Sequence, residues 1–405
     1  MIEQSLNSGN TTFMILCVAL VCLMTPGLAF FYGGLVRRKN VLTILMQSFI
    51  SVGIVTVIWI FGGYGLAFGA DHFGVIGSIG NYFGLINTSA CINEVCGNGI
   101  PFLLFFAYQL MFCIIAVPLM TGAFTARINI RGYIGLLITW TLLIYIPVCH
   151  WVWGNGFLAK LGFVDFAGGT VIHITAGFGA LACVIFFGKR IIEKVENRNH
   201  NNIVLVAIGT GLLWFGWFGF NAGGALGDPK LEAIAVVNTF IALAIAMVVW
   251  TIIVKITKGK VPLTEVLTGS IAGLATITPC AGYVTPSSSI IIGIIAAIGC
   301  YLFIEVKEKM KWDDSLDVWA VHGMGGFMGS ILIGIFANQE IGGIAGGAHQ
   351  LLIQVAGVLL VTVYSFVVTF IILKVLDATI GIRTTKEEQL KGLDSTLLGQ
   401  DAYSL

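Results

Sequence analysis

Charge is what this sequence has least of. Only 10% of its 405 residues are Asp, Glu, Lys or Arg, against 57% hydrophobic, whereas soluble domains carry about a quarter charged residues. That shortage, with a mean hydropathy of +0.96, excludes a water-solvated globule and leaves a polytopic membrane protein. Proline is scarce as well, 8 residues against 52 glycines. This balance suits closely packed transmembrane helices, because glycine lets backbones approach without giving up hydrogen bonds that lipid cannot replace. The formal net charge is +1, so there is no basic surplus for nucleic acid and no polybasic lipid anchor. The opening MIEQSLNSGNTT lacks a positive n-region and a small-residue cleavage site before its apolar run, so no cleaved signal peptide is expected. HExxH is missing too, and two dispersed histidines make no ligand set. Neither a metal, another cofactor nor enzyme chemistry is expected.

Most of the nine cysteines, among them Cys17, Cys22, Cys113, Cys183 and Cys300, sit at apolar helix positions and read as small buried hydrophobes. Cys91 and Cys96 stand apart in the polar loop TSACINEVCGNG, where a local disulfide and two thiols are equally open.

Since a span needs roughly 20 apolar residues, the chain divides into eleven helices, an all-α integral membrane fold. They are expected at 13–35, 41–68, 100–124, 133–148, 166–187, 203–220, 234–254, 263–279, 288–304, 316–336 and 347–373. Basic residues collect in alternate loops: Arg37, Arg38 and Lys39; Arg127 and Arg131; stretches 189–198, 255–260 and 307–311; and Arg383, Lys386 and Lys391 in the tail. Opposite loops hold only Lys160 and Lys230. Positive charge stays inside, which puts the N-terminus outside and the C-terminus inside. Spans one to five and six to ten then run in opposite senses, as in inverted-repeat transporters whose sites lie at the repeat interface.

Two stretches break the apolar rule at matching places in those halves. DFAGGTVIHITAG holds Asp165 and His173; DVWAVHGMGG holds Asp317 and His322. Each acid stands where its helix begins, so a cap that accepts backbone N–H groups explains it. Asp165, near an outer mouth, would also concentrate cations. The histidines are costlier, because intramembrane ionisable residues face bundle interiors and count as functional candidates. Singly, each reads as a core histidine satisfied by its neighbours. As a pair in two half-repeats they point to function, and tilted helices would bring the rings side by side. Aromatics crowd AYQLMF (Tyr108, Phe112), HWVWGNG (Trp151, Trp153) and LWFGWFGFNAGG (Trp214, Trp217, Phe220). They read as packing or interface residues, or as rings able to hold a small cation.

Taken together, DFAGGTVIHITAG, GWFGFNAGG, FFYGGLV with RRKNVL, and DVWAVHGMGG followed by GGAHQLLIQ strongly resemble the Amt/Mep/Rh ammonium transporter family on its microbial Amt side, over about residues 13–383. The resemblance implies twin pore histidines at His173 and His322 and a stacked outer gate of Phe112 and Phe220. It also implies an external cation site with Trp153, Tyr108 and Phe112, and supporting roles for Phe31, Tyr32, Gln109, Trp217 and Asp165. Where many members place a serine in the cation site, this chain has Gly224, which would leave recruitment to aromatic faces and a carbonyl or water. A homotrimer in the cell membrane, with a pore in every subunit, is implied as well.

The membrane part is expected over 1–376 and a cytosolic tail over 377–405. KGLDSTLLGQDAY in that tail resembles the family's regulatory segment at Gly392, Leu393, Asp394, Gly399, Ala402 and Tyr403. The resemblance implies a PII-type (GlnK) partner on the cytosolic face; a plain solvated end is the other reading. Two rivals remain. A transporter for another amine would want midspan carboxylates or broken helices, and none of the spans has a midspan charge. An ammonium sensor that conducts little or nothing would use the same site and signal through its cytosolic face.

Overall fold

The computed structural model describes residues 6–87, 95–191 and 200–403. In chain order the apolar helices are α1 (Ser8–Leu35), α2 (Arg38–Phe68), α3 (Phe102–Ala123), α4 (Ile130–Lys160), α5 (Gly169–Phe187), α6 (Ile203–Ala225), α7 (Pro229–Lys258), α8 (Leu263–Ile277), α9 (Pro286–Met310), α10 (Trp319–Phe336) and α11 (Ala348–Ile380). Among the described residues, ten of them are long and apolar enough to cross a membrane. α8 is the exception at 15 residues, about 22 Å of helix against a hydrocarbon core of about 30 Å.

Several helices overrun the apolar stretches read from sequence, because polar caps hold their ends. The Asp228 side chain accepts the N–H groups of Lys230 and Leu231, Pro229 takes the first turn, and left-handed Gly259 closes α7 after 30 residues. Asn202 caps α6 and Thr285 caps α9 in the same way. α11 likewise runs on to Ile380, so the tail expected from residue 377 leaves the helix only at Gly381. The all-helical expectation needs one amendment. Two antiparallel two-residue ladders, Asp71–His72 (β1) with Ile76–Gly77 (β2) and Val95–Cys96 (β3) with Ile100–Pro101 (β4), tie down the loops around α2 and α3.

Polar side chains within the spans mostly return their hydrogen bonds to their own helix: Thr175 to Val171, Thr210 to Val206 and Thr276 to Ala272. This local bonding is what lets them sit in a low-dielectric interior. α1 lies along α6 so closely that a Cβ on Gly209 would stand 2.2 Å from the Phe31 nitrogen. α5 packs against α10 and α11, and α7 against α8 and α9. Cys17, Cys113, Cys183 and Cys300 are buried as expected, but Cys22 is exposed on α1. The candidate Cys91–Cys96 pair involves Cys91, which lies outside the described residues.

The tail folds back on its own chain. After Thr385 and Glu388 form a reciprocal cap, α12 (Lys386–Lys391) ends at Gly392, where φ is +114°. Leu393 then donates its N–H to Asn40 Oδ1, and buried Asp394 accepts the N–H groups of Leu42 and Thr43 and the Thr43 hydroxyl. Tyr403 accepts from Asn201 and lies under Arg38. Gly399, at φ +65°, makes the intervening turn. A tail free in solvent is therefore not what this chain forms.

Candidate functional site

The site is built where α5 and α10 begin. Both helices open with a wide, π-helical turn, Gly169–Ile174 and Trp319–Gly323, and each turn carries one of the histidines. Such turns leave backbone groups out of the regular ladder and recur at functional positions. Asp165 winds the first one: its Oδ1 accepts from Gly168 and Gly169, and its Oδ2 from Thr170 and Val171. Burial raises this carboxyl, and the four N–H groups pull it the other way. Both carboxyl oxygens are thus occupied by backbone, and the Asp165 carbonyl accepts the indole N–H of Trp153 at 2.8 Å.

The corresponding cap on α10 was expected of Asp317 and belongs to Asp314. Asp314 Oδ2 accepts the Trp319 N–H at 2.8 Å, while Asp317 pairs with Lys307 from α9. The sequence carries the signal: Asp314 stands eight residues before His322, as Asp165 stands eight before His173. Burial first, and then the neighbouring Asp317, push the Asp314 carboxyl up to about 6.

Between the two turns the imidazoles meet. Nδ1 of His173 lies 3.3 Å from Nδ1 of His322, with ring planes 17° apart. Of two facing ring nitrogens one must donate and the other accept, so the pair shares one proton between them. Both residues are buried. Trp217 stacks on His173 at 5.5 Å and is itself fixed by its indole N–H on the Thr278 hydroxyl.

Three cavities line up along this pair. A vestibule of about 220 Å³ includes Gln109, Phe112, Trp153 and Gly224 in its walls. A constriction of about 10 Å³ follows, lined by Phe31, Leu119, Phe220 and both histidines; that is room for about one water-sized molecule. Beyond His322 opens a second cavity of about 310 Å³ with Glu265, Glu305, Glu308 and Asp317 in its wall. Phe112 from the vestibule and Phe220 from the constriction touch at 4.3 Å and separate the two spaces.

Other candidate residues fall into place more unevenly. Trp153 and Tyr108 both pack edge-on to Phe112, at 5.8 and 4.8 Å. Tyr108, a candidate for the cation site, donates its hydroxyl to the Phe220 carbonyl at 2.7 Å. Tyr32 is buried beside the constriction and donates to the Leu119 carbonyl. Among the described residues Gln109 Oε1 has no hydrogen-bond partner. A Cβ on Gly224 would lie 2.6 Å from the Phe166 carbonyl oxygen, so backbone fills the place of a side chain there. The sequence reading missed Phe68, Phe105, Phe166 and Tyr283 around the vestibule and the three glutamates below, since residues so far apart in the chain share no spacing.

Comparison with known proteins gives a consistent result. The family model described as Ammonium Transporter Family matches residues 12–403. The ammonium transporter Amt1 of Archaeoglobus fulgidus is 44% identical over 98% of this chain and 100% of its own length. An ammonium transporter of Aquifex aeolicus is 44% identical over 100% of this chain and 95% of its own length. Among solved structures, Candida albicans Mep2 superposes with a TM-score of 0.85 at 33% identity, covering 96% of this chain and 89% of that one. A structure titled Sensor Amt Protein superposes at 0.87 with 31% identity, covering 96% and 97%.

Proposed function

The chain belongs to the ammonium transporter family and is a multi-pass membrane protein that transports ammonium, and we propose that it does so by separating the ion into ammonia and a proton. NH4+ docks against the faces of Trp153 and Phe112, where a desolvated aromatic contact contributes about 2 kcal/mol. It passes the Phe112 and Phe220 rings, gives its proton to the histidine pair, and crosses the constriction as NH3. A full charge in so narrow and apolar a space is costly, whereas ammonia is neutral and potassium has no proton to leave behind. The proton moves along the imidazoles, each able to accept at one nitrogen while donating from the other, and rejoins NH3 in the inner cavity. Transport is then electrogenic.

The observation that carries this reading is the 3.3 Å contact of His173 and His322 inside the 10 Å³ constriction. The test is current from purified protein in proteoliposomes after an ammonium pulse, with potassium as control and His173→Leu and His322→Leu alongside. An ammonium-specific current that the variants lose or change is expected. Unchanged electrogenic current in both variants would overturn the relay.

The same proposal takes α1–α11 as eleven spans, N-terminus outside and C-terminus inside, with α1–α5 and α6–α10 as inverted halves. The pairing of α1 with α6 and of α5 with α10, each of the latter opening on a π-helical histidine turn, supports it. Because each subunit holds its own histidine pair, a homotrimer would contain three separate pores. The docked tail supports a second element, a PII-type (GlnK) protein that binds the cytosolic face and blocks transport; pull-down against a chain lacking residues 392–405 tests it. A sensor conducting little or no ammonium is the alternative, supported by the tail's grip on the start of α2. Ammonium binding without current in the same proteoliposomes would favour it.

A further inference from the structure

His150 stands fully buried at the outer end of α4, with both ring nitrogens on acceptors. Nδ1 lies 2.8 Å from the Ala67 carbonyl oxygen and Nε2 2.8 Å from Asp71 Oδ1. One imidazole thus bridges a backbone carbonyl of α2 and the carboxyl of β1, and Asp71 also takes the Lys160 ammonium.

These bonds join two walls of the outer vestibule. Ala67 precedes Phe68, which lines the vestibule from α2; Trp153, which lines it from α4, follows His150 by one turn. The His150 carbonyl accepts the N–H groups of Gly154 at 3.0 Å and Gly156 at 2.9 Å, so the chain after Trp153 folds around this residue. A Cβ on Gly154 would lie 1.9 Å from the Ala67 oxygen, which shows how tightly that turn is packed on the bond. The β1–β2 hairpin returns the grip. Trp151 donates its indole N–H to the Val75 carbonyl, Phe157 its N–H to Gly74, and Gly74 its N–H to Asp71.

We propose that His150 and Asp71 form a positioning pair that sets the spacing of Phe68 and Trp153, and with it the affinity of the outer vestibule for the incoming ammonium ion. The proposal rests on the recruitment reading above. Neither residue touches the ion; both act through the rings they hold.

The test is an ammonium concentration series on the full-length protein in proteoliposomes, comparing Asp71→Asn, Asp71→Glu, Trp153→Ala and the Asp71→Asn, Trp153→Ala double variant. Asp71→Asn is expected to raise the half-saturating ammonium concentration about fivefold with little change in maximal rate, the signature of lost binding alone. Asp71→Glu should restore most of the native value. In the Trp153→Ala background Asp71→Asn should add nothing, since residues acting through one contact are not additive. An unchanged half-saturation in Asp71→Asn, or the same shift with and without Trp153, overturns the positioning role alone. An unchanged half-saturation in Trp153→Ala overturns the recruitment reading, and this proposal with it.

Discussion

Gly177 of α5 and Gly323 of α10 cross backbone to backbone: a Cβ on Gly177 would lie 2.1 Å from the Gly323 Cα. One turn away Gly326 is equally confined, its Cβ position 2.5 Å from the Gly169 carbonyl oxygen and 2.8 Å from His173 Cβ. Glycine at these points lets two helices approach closely enough for their side chains to share a hydrogen bond. The histidine contact is thus a consequence of the crossing.

Gly177→Ala is therefore expected to force α5 and α10 apart and break the 3.3 Å imidazole contact, even though neither histidine is altered. Ammonium current in proteoliposomes should fall by about tenfold or more, the cost of roughly a 1 Å misplacement or greater. Native-like current in this variant would show that the crossing tolerates a methyl group and that the histidines are held by something else.

Asp165 accepts four backbone N–H groups at the start of α5. Asp165→Ala leaves them buried without an acceptor and should destabilise the folded protein by about 3 kcal/mol or more, since each bond to a charged group contributes about 1.5–3 kcal/mol. Thermal unfolding in detergent measures this. On α10 the larger loss of transport is expected from Asp314→Ala, which removes the cap on Trp319, and the smaller from Asp317→Ala, whose partner Lys307 keeps the Asp314 carbonyl and Glu308.

Gly224→Ser would place a hydroxyl in the vestibule wall. Here its Cβ meets the Phe166 carbonyl at 2.6 Å, and that backbone is tied in turn to the Pro279 carbonyl by the Phe166 N–H. The half-saturating ammonium concentration should rise, because the vestibule wall has to shift before the hydroxyl fits. A tighter half-saturation would mean that the wall yields and that the hydroxyl contributes to cation binding.

Asp394 caps α2 from the far end of the chain. Asp394→Ala should cost about 1 kcal/mol of stability, the usual loss on removing a helix cap, and should release residues 392–403 to faster hydrogen exchange. Exchange unchanged over that stretch would show that Leu393 and Tyr403 hold the tail without it.

Composition and periodicity determined most of the architecture. A chain this poor in charge has to cross the membrane, where every backbone N–H and C=O group must be satisfied internally, and apolar runs of about 20 residues select the helix over the closed barrel. The start of α6 after Asn202 was likewise legible, since a cap acts over two or three residues, whereas α7 begins at Pro229, ahead of the expected 234. Even the symmetry of the two histidine turns was written locally, in the eight-residue interval that separates Asp165 from His173 and Asp314 from His322.

What only the tertiary structure decided lies between segments far apart in the chain. That Phe112 meets Phe220, that Asp317 turns to Lys307, and that Asp71 reaches His150 across 79 residues follow from how helices cross and where loops return. Local spacing carries no record of such contacts. They arise when glycine-lined backbones pack at a few ångströms and buried polar groups take whichever partner that packing brings within reach.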